Sequence, residues 1–469
     1  MLPRPLARGA AINLAARLAS VALGLGILVM VARLGPAVQG AFALFVAIES
    51  VLLTLFSGLG LLLAREISNR RVDPAPLLAA VLRVALGLGV VAALLLLVAA
   101  AVAEAEPYRH LWLLALAAPL LLLVPTASGL WLGQGRMLPL NAPQVAAPAL
   151  VLAALAVLAM LRPDAGALQT VLPVLAAWVV GKAIVAALTG LAAARSTGRV
   201  AHDLATAIEP TGVHSFGGVA HDMPTPIELA AMRSIGRASP DWRALRRQWR
   251  FVAVIGATNV VSLLNYRATL FLVERNGGLA ETGVYSVAVQ VAELLWLLSS
   301  AVTVSAYHRI GTPDAAEAAA ITLRAVRFNL LATLAAAPFL YWGAAVALPR
   351  VLGPAYAGAL LPLALLLPGV AGYAAASSLS AYYTNHRGRP QWSAAIAALS
   401  LGLTLAIAAW SVPRFGAAGA ALATSLAYSI AIAVALGLFL RDTGLGWAAL
   451  LGSAGAKLSG RTRGRPEFP

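Results

Sequence analysis

The sequence predicts an all-α polytopic membrane protein, with twelve transmembrane helices in two pseudo-symmetric six-helix lobes. Three observations carry that expectation. First, the 469 residues are 61% hydrophobic and 11% charged, whereas soluble domains run at about 45–50% and about 25%. Second, apolar runs long enough to cross a bilayer, about 20 residues each, recur along most of the chain. Third, two stretches are versions of each other. Arg33-Leu-Gly-Pro-Ala-Val-Gln-Gly40-Ala-Phe42 and Arg275-Asn-Gly-Gly-Leu-Ala-Glu-Thr-Gly283-Val-Tyr285 each place an Arg and a Gly-containing turn before Gly-small-aromatic. Each then opens a helix with one central Glu, and the two lie 243 residues apart, from Gly40 to Gly283.

Taken in order, the expected spans are 10–32, 41–63, 77–102, 111–133, 140–161, 168–193, 251–273, 283–305, 323–348, 357–380, 391–411 and 416–440. The first follows Arg4 and Arg8, as a signal peptide would, but it is too long for an h-region and contains Asn13 and Arg17. It is therefore expected to be an uncleaved first helix. The chain divides into a lobe at 1–193, an insert at 194–250, a second lobe at 251–440 and a basic tail at 441–469. Loop charge tests the count. With the N-terminus inside, the outer loops hold one base each, Arg33, Arg109, Arg162, Arg275, Arg350 and Arg414, against 25 in the inner stretches. That is the positive-inside pattern, and it places both termini and the insert on the cytoplasmic side. Six spans per lobe make the repeat parallel, an arrangement found in transporters.

The insert is rich in Gly, Pro, Thr and Ser. It contains a small echo, Val200-Ala-His202-Asp203 and Val219-Ala-His221-Asp222, whose spacing fits no tight metal-ligand pattern; no metal site is expected. Its end is more informative. Ser239-Pro240-Asp241-Trp242 has the residues of a helix start. Arg243, Arg246, Arg247 and Arg250 then recur on one face, with Trp242, Leu245, Trp249 and Val252 on another. This is a basic amphipathic helix for the inner headgroup layer, an anchor that also suits anionic membrane lipids.

Five ionisable residues fall within spans: Arg17, Glu49, Lys182, Arg267 and Glu293. Each costs roughly 2.5–3.5 kcal/mol at mid-helix on insertion scales, so a cavity or a partner is expected for each. Arg17 and Glu49 differ in depth by only about 6 Å at 1.5 Å per residue and are expected to be able to pair. Lys182 and Arg267 then remain as surplus positive charge, which makes a cationic cavity of Arg17, Lys182 and Arg267 suited to phosphate or pyrophosphate. Glu49 and Glu293 become candidates for proton or sodium coupling. Polar stripes add Asn13 beside Arg17, Asn265 within Thr258-Ser262-Asn265-Thr269, and Gln290 between Ser286 and Glu293. For the Ser and Thr residues, helix–helix hydrogen bonding is the expected role.

Other classes are poorly supplied. The net charge of +16 sits in short loops and at helix ends, so no nucleic-acid partner is expected. The chain has no Cys, which excludes thiolate chemistry. No Walker, His-Glu-x-x-His or Gly-x-Ser-x-Gly sequence occurs. The outer loops hold few carboxylates, with Glu104 and Glu106 close together before Pro107-Tyr108-Arg109-His110. A membrane glycan polymerase or ligase would need a large outer loop, and the long loop here is inner by charge. No enzyme and no cofactor is expected. Lysine occurs only as Lys182 and Lys457 among many Ala, Gly and Arg, the usage of a GC-rich bacterial genome.

Several segments together resemble polysaccharide exporters of the multidrug/oligosaccharidyl-lipid/polysaccharide (MOP) superfamily. These are Arg33-Leu-Gly-Pro with Gly40-Ala-Phe; Gly283-Val-Tyr-Ser-Val-Ala-Val-Gln-Val-Ala-Glu-Leu; Leu352-Gly-Pro-Ala-Tyr-Ala-Gly-Ala; and Arg414-Phe-Gly-Ala-Ala-Gly-Ala-Ala-Leu-Ala-Thr-Ser-Leu-Ala-Tyr428. The resemblance covers about residues 1–440. It implies two lobes in a V, alternating access, and the flipping of a polyprenyl-diphosphate-linked oligosaccharide across the bacterial inner membrane, as Wzx-type members do. It also implies a lipid-linked glycan as cargo, with polysaccharide polymerases or glycosyltransferases as partners. A drug or cation antiporter of the same superfamily is the alternative. Members often carry an acid soon after the Arg of the seventh span; Asn265-Tyr266-Arg267-Ala268-Thr269 has none.

Overall fold

The computed structural model describes residues 4–70, 74–161, 171–208, 242–297, 299–300, 303, 310, 312, 314–389 and 391–451. Among these residues the secondary structure is helical throughout. The helices are α1 (Arg4–Ala32), α2 (Pro36–Leu55), α3 (Ser57–Arg70), α4 (Pro74–Val102), α5 (Leu111–Leu121), α6 (Leu123–Gly133), α7 (Met137–Leu161) and α8 (Val171–Ile208). They continue with α9 (Trp242–Glu293), α10 (Ala315–Ala347), α11 (Leu360–Tyr373), α12 (Ala376–Ala381) and α13 (Gln391–Thr443).

Among the described residues ten stretches are long and apolar enough to cross a membrane, and two of them, Leu245–Leu297 and Gln391–Thr443, are 53 residues long. A crossing uses about 20 residues, so each of these two holds a pair. The fold at the centre of each pair is a single glycine outside helical geometry, Gly278 (φ 73°) in α9 and Gly416 (φ 52°) in α13. Resolving both pairs yields the twelve crossings read from the sequence. The turns at 274–282 and 412–415, expected as short outer loops, are tightened almost to one residue. Glycine permits this because φ is positive and a Cβ would be strained there. At Gly416 a second device acts. Glu281 Oε1 accepts the Ala417 amide at 2.6 Å, satisfying an orphan donor at the start of the closing helix, and a Cβ on Gly416 would run into that carboxylate.

Two compact units result, Met1–Leu263 and Leu264–Pro469. In the first, Leu63, Leu78, Val81, Leu122, Leu130 and Trp131 form a buried cluster where α3, α4, α5 and α6 meet. In the second, Val326, Leu379, Tyr382, Leu436 and Phe439 do so among α10, α12 and α13. The outward faces are apolar too: Leu95, Met160, Phe339 and Trp342 are exposed. That is costly in water and natural in lipid, where backbone polar groups are satisfied inside the helices. α8 runs on to Ile208, some fifteen residues past the end expected for the sixth span. Residues 209–241, which include His214, His221, Asp222 and the Ser239-Pro240-Asp241 helix start, lie outside the described residues.

Candidate functional site

Each unit brings one interior base onto one interior acid. In the first unit Glu49 points from α2 toward α8, against which α2 packs. Its carboxylate is 1% exposed, with Lys182 Nζ 2.5 Å from Oε1. The contact satisfies charge rather than hydrogen-bond direction, since Oε1 has no aligned donor. Direction comes from Trp178, whose indole N–H donates to Oε2 at 2.6 Å. Trp178 and Lys182 are i, i+4 on α8 and so share a face. The ammonium therefore also lies over the Trp178 ring, 4.6 Å from its centroid, a favourable cation–π position. Phe42 meets the same indole edge-on at 5.1 Å. The aromatic of the Gly-small-aromatic opening thus braces the group that orients the acid of its own helix.

In the second unit Arg267 donates from the first half of α9 to Glu293 in the second half, Nη1 to Oε1 at 3.0 Å and Nη2 to Oε2 at 3.1 Å. This is the two-pronged guanidinium–carboxylate geometry, stronger and more directional than an ammonium contact. The seventh span carries no acid of its own; the eighth supplies it. Around the pair stand Tyr266, Trp296, Tyr373 and Tyr428. Tyr373 and Tyr428 stack at 4.5 Å, and Tyr266 meets Trp296 at 5.0 Å. The Trp296 indole donates to the Val370 carbonyl, and Tyr428 Oη donates to the Asn265 carbonyl, both at 3.1 Å. Glu293, Tyr266, Tyr285, Trp296, Thr424 and Tyr428 line a small cavity with room for about one water molecule.

The expected pairing of Arg17 with Glu49 is not made. Arg17 and Asn13 lie on the exposed side of α1, and α1 packs chiefly along α7 rather than over the acid-bearing face of α2. The expected surplus of positive charge at Lys182 and Arg267 is corrected with it, because both are neutralised by a carboxylate; Arg17 is the base left over. Asn265 is 2% exposed and its side-chain amide has no partner. Gln290 Nε2 donates to the Ser286 carbonyl at 3.3 Å. Of the hydroxyls expected to bond between helices, Thr258 and Ser262 instead bond back along their own helix, while Thr269 Oγ1 meets Tyr285 Oη of the following span at 3.0 Å.

Sequence reasoning missed Trp178 and the aromatic group. The i, i+4 spacing of Trp178 and Lys182 was a usable signal. The aromatic group draws on α9, α11, α13 and the turn after α9, so no local pattern announces it. In the turn after α4, Glu106 bridges Arg109 and His110, the latter at 3.0 Å, which absorbs the half-buried carboxylate locally. No group of three or more His, Cys, Asp or Glu placed to hold a metal occurs among the described residues.

No protein-family model and no curated protein matches the chain. Solved structures do match. A multidrug resistance MATE family transporter of the MOP superfamily, inward-facing, aligns with TM-score 0.68 and 17% identity over 93% of this chain and 96% of its own. The lipid II flippase MurJ, in an inward closed conformation, aligns with TM-score 0.66 and 12% identity over 94% of this chain and 89% of its own. A MOP superfamily transporter from Pyrococcus furiosus, described as having a binding pocket of reverse polarity, aligns with TM-score 0.55 and 14% identity over 93% and 95%. These are transporters and a flippase rather than enzymes, and the match runs nearly end to end. This multi-pass membrane protein therefore has the twelve-helix fold of MOP superfamily transporters.

Proposed function

We propose that the protein is an alternating-access transporter that flips a polyprenyl-diphosphate-linked oligosaccharide across the cytoplasmic membrane for surface or exopolysaccharide synthesis, O-antigen included. Both termini lie inside on this reading, as loop charge requires. The observation that carries it is the acid–base pair in each unit, Lys182–Glu49 and Arg267–Glu293. Each pair is neutral when closed. A proton, or a sodium ion, arriving on the carboxylate leaves the base as an uncompensated cation in a low-dielectric setting, where its attraction for a diphosphate is large. The Trp178 ring beneath Lys182 offers the ammonium a second hold when Glu49 lets go. Arg267 offers the fork that phosphate oxygens accept in pairs. Release of the proton restores the internal pair and expels the anion. The gradient thus sets whether each base belongs to the protein or to the cargo.

Deleting the gene in its host tests this. Surface or secreted polysaccharide disappears while lipid-linked intermediates accumulate on the inner leaflet; an unchanged glycan profile contradicts the proposal.

A second reading has a specific observation in its favour. The closed pairs are neutral, and the faces of Tyr266, Trp296, Tyr373 and Tyr428 suit an organic cation, as in a multidrug or cation antiporter. Dye efflux with intact polysaccharide export would select it.

A further inference from the structure

The start of α9 carries a surface that the transport reading leaves unused. Although this helix opens the second half of the sequence, its residues up to Leu263 belong to the first unit. There it docks by one face. Leu245 and Val252 pack on the buried cluster that includes Leu59, Leu63 and Trp131. Gln248 Nε2 donates to the buried Glu66 at 2.6 Å, and Asn259 Nδ2 donates to Ser57 Oγ at 3.0 Å. Gly58 and Gly256 let the backbones close in: a Cβ on either would strike a carbonyl of the other helix, Val252 or Leu55.

The opposite side stays out. Arg243, Arg246 and Arg250 are exposed, and so are Trp242 (48%) and Trp249 (58%). Successive residues turn by about 100°, so the three arginines stand roughly opposite the docked face and the two indoles lie together along one edge between them. Arg250 lies over the Trp249 ring, 5.8 Å from its centroid. Loop charge puts this end at the cytoplasmic leaflet, where indoles favour the headgroup level. A charge-only collar needs no large apolar rings on its rim, and a core helix would bury them.

We propose that the face formed by Arg243, Arg246 and Arg250 with Trp242 and Trp249 binds the phosphate heads of anionic phospholipids of the inner leaflet. The site is built on the first unit and is separate from the Lys182 and Arg267 pairs. Anionic lipid therefore holds α9 against Glu66 and α3 whether or not cargo is present. Each arginine near a charged leaflet strengthens attraction to it about fivefold, and salt screens the effect.

The test uses the full-length protein in nanodiscs of phosphatidylcholine with a fixed fraction of brominated lipid, whose bromines quench nearby tryptophan. The contribution of Trp242 and Trp249 is the difference between wild type and W242F/W249F. Brominated phosphatidylglycerol is expected to quench this pair at least about threefold more than brominated phosphatidylcholine at equal mole fraction, with the preference lost in R243Q/R246Q/R250Q. In unaltered protein the preference falls as salt rises from 50 to 500 mM, a readout that needs no variant to fold. Equal quenching by both lipids, or a preference that survives the triple substitution or the salt, overturns the proposal. So does a preference seen only once a polyprenyl diphosphate is added, which would assign the face to cargo. Transport by the triple variant separates the two claims: glycan export fails only if the face serves the cargo path.

Discussion

The two acid–base pairs do one job by different means. Both acids sit on the helix that follows the Gly-small-aromatic opening, yet the bases come from opposite ends of their units. Arg267 lies one span before its acid, and Lys182 lies on α8, 133 residues after Glu49. The 243-residue offset places Gly24 opposite Arg267 and Ser425 opposite Lys182. The same offset places Glu49 opposite Ala292, one position short of Glu293, so the acids correspond to within one residue and the bases do not. The settings differ as well. Glu49 is sealed at 1% exposure, whereas Glu293 is 21% exposed and borders a cavity. The second pair is the wetter and more directional, and the first is the drier and leans on an aromatic ring.

That contrast predicts a ranking. The largest effect belongs to Lys182→Gln. It strands a carboxylate with almost no access to solvent, so stability falls by about 3–5 kcal/mol, read as the unfolding midpoint in detergent. Adding Glu49→Gln restores most of it, because no buried charge then remains; a double variant as unstable as the single one breaks the comparison. Arg267→Gln costs less, about 1–3 kcal/mol, since Glu293 keeps water within reach. If it costs as much as Lys182→Gln, the second site is not the wetter one.

Gly416→Ala has no pair to break but forces a side chain into positive φ against Glu281, and a loss of about 1–3 kcal/mol follows. Glu281→Gln, which keeps an acceptor for the Ala417 amide, costs less than Glu281→Ala, and equal losses would remove the capping role. The smallest effect is that of Trp178→Phe. It deletes one hydrogen bond to Glu49 while keeping a ring beneath Lys182, so about 1–1.5 kcal/mol is lost; Trp178→Ala adds the loss of the ring.

Much of this was legible in the residues. Span positions followed from apolar length and loop charge, since both are sums over many residues and tolerate local error. Gly278 was visible within a Gly-containing turn, but the tightness of the turn at Gly416 was not, because it depends on Glu281 reaching Ala417 from another helix. The interior charges were found individually, since their insertion cost marks each one. Their pairing was not. Depth along the helix made Arg17 a plausible partner for Glu49, but depth says nothing of which face of α1 meets which neighbour. The acid absent from the seventh span hid in the eighth for the same reason: a hairpin folded at Gly278 brings position 293 to position 267, and sequence distance conceals it.

The central claim is that each base is held by its own carboxylate and yielded to the diphosphate of the cargo. The most direct measurement is flipping of a labelled polyprenyl-diphosphate oligosaccharide in proteoliposomes under a proton or sodium gradient. It compares wild type with the charge-neutral doubles E49Q/K182Q and E293Q/R267Q, both expected to fold. Wild type moves the lipid to the far leaflet and each double loses at least about tenfold in rate, the size expected for a lost charge-assisted phosphate contact. Transport at the wild-type rate in both doubles would contradict the account.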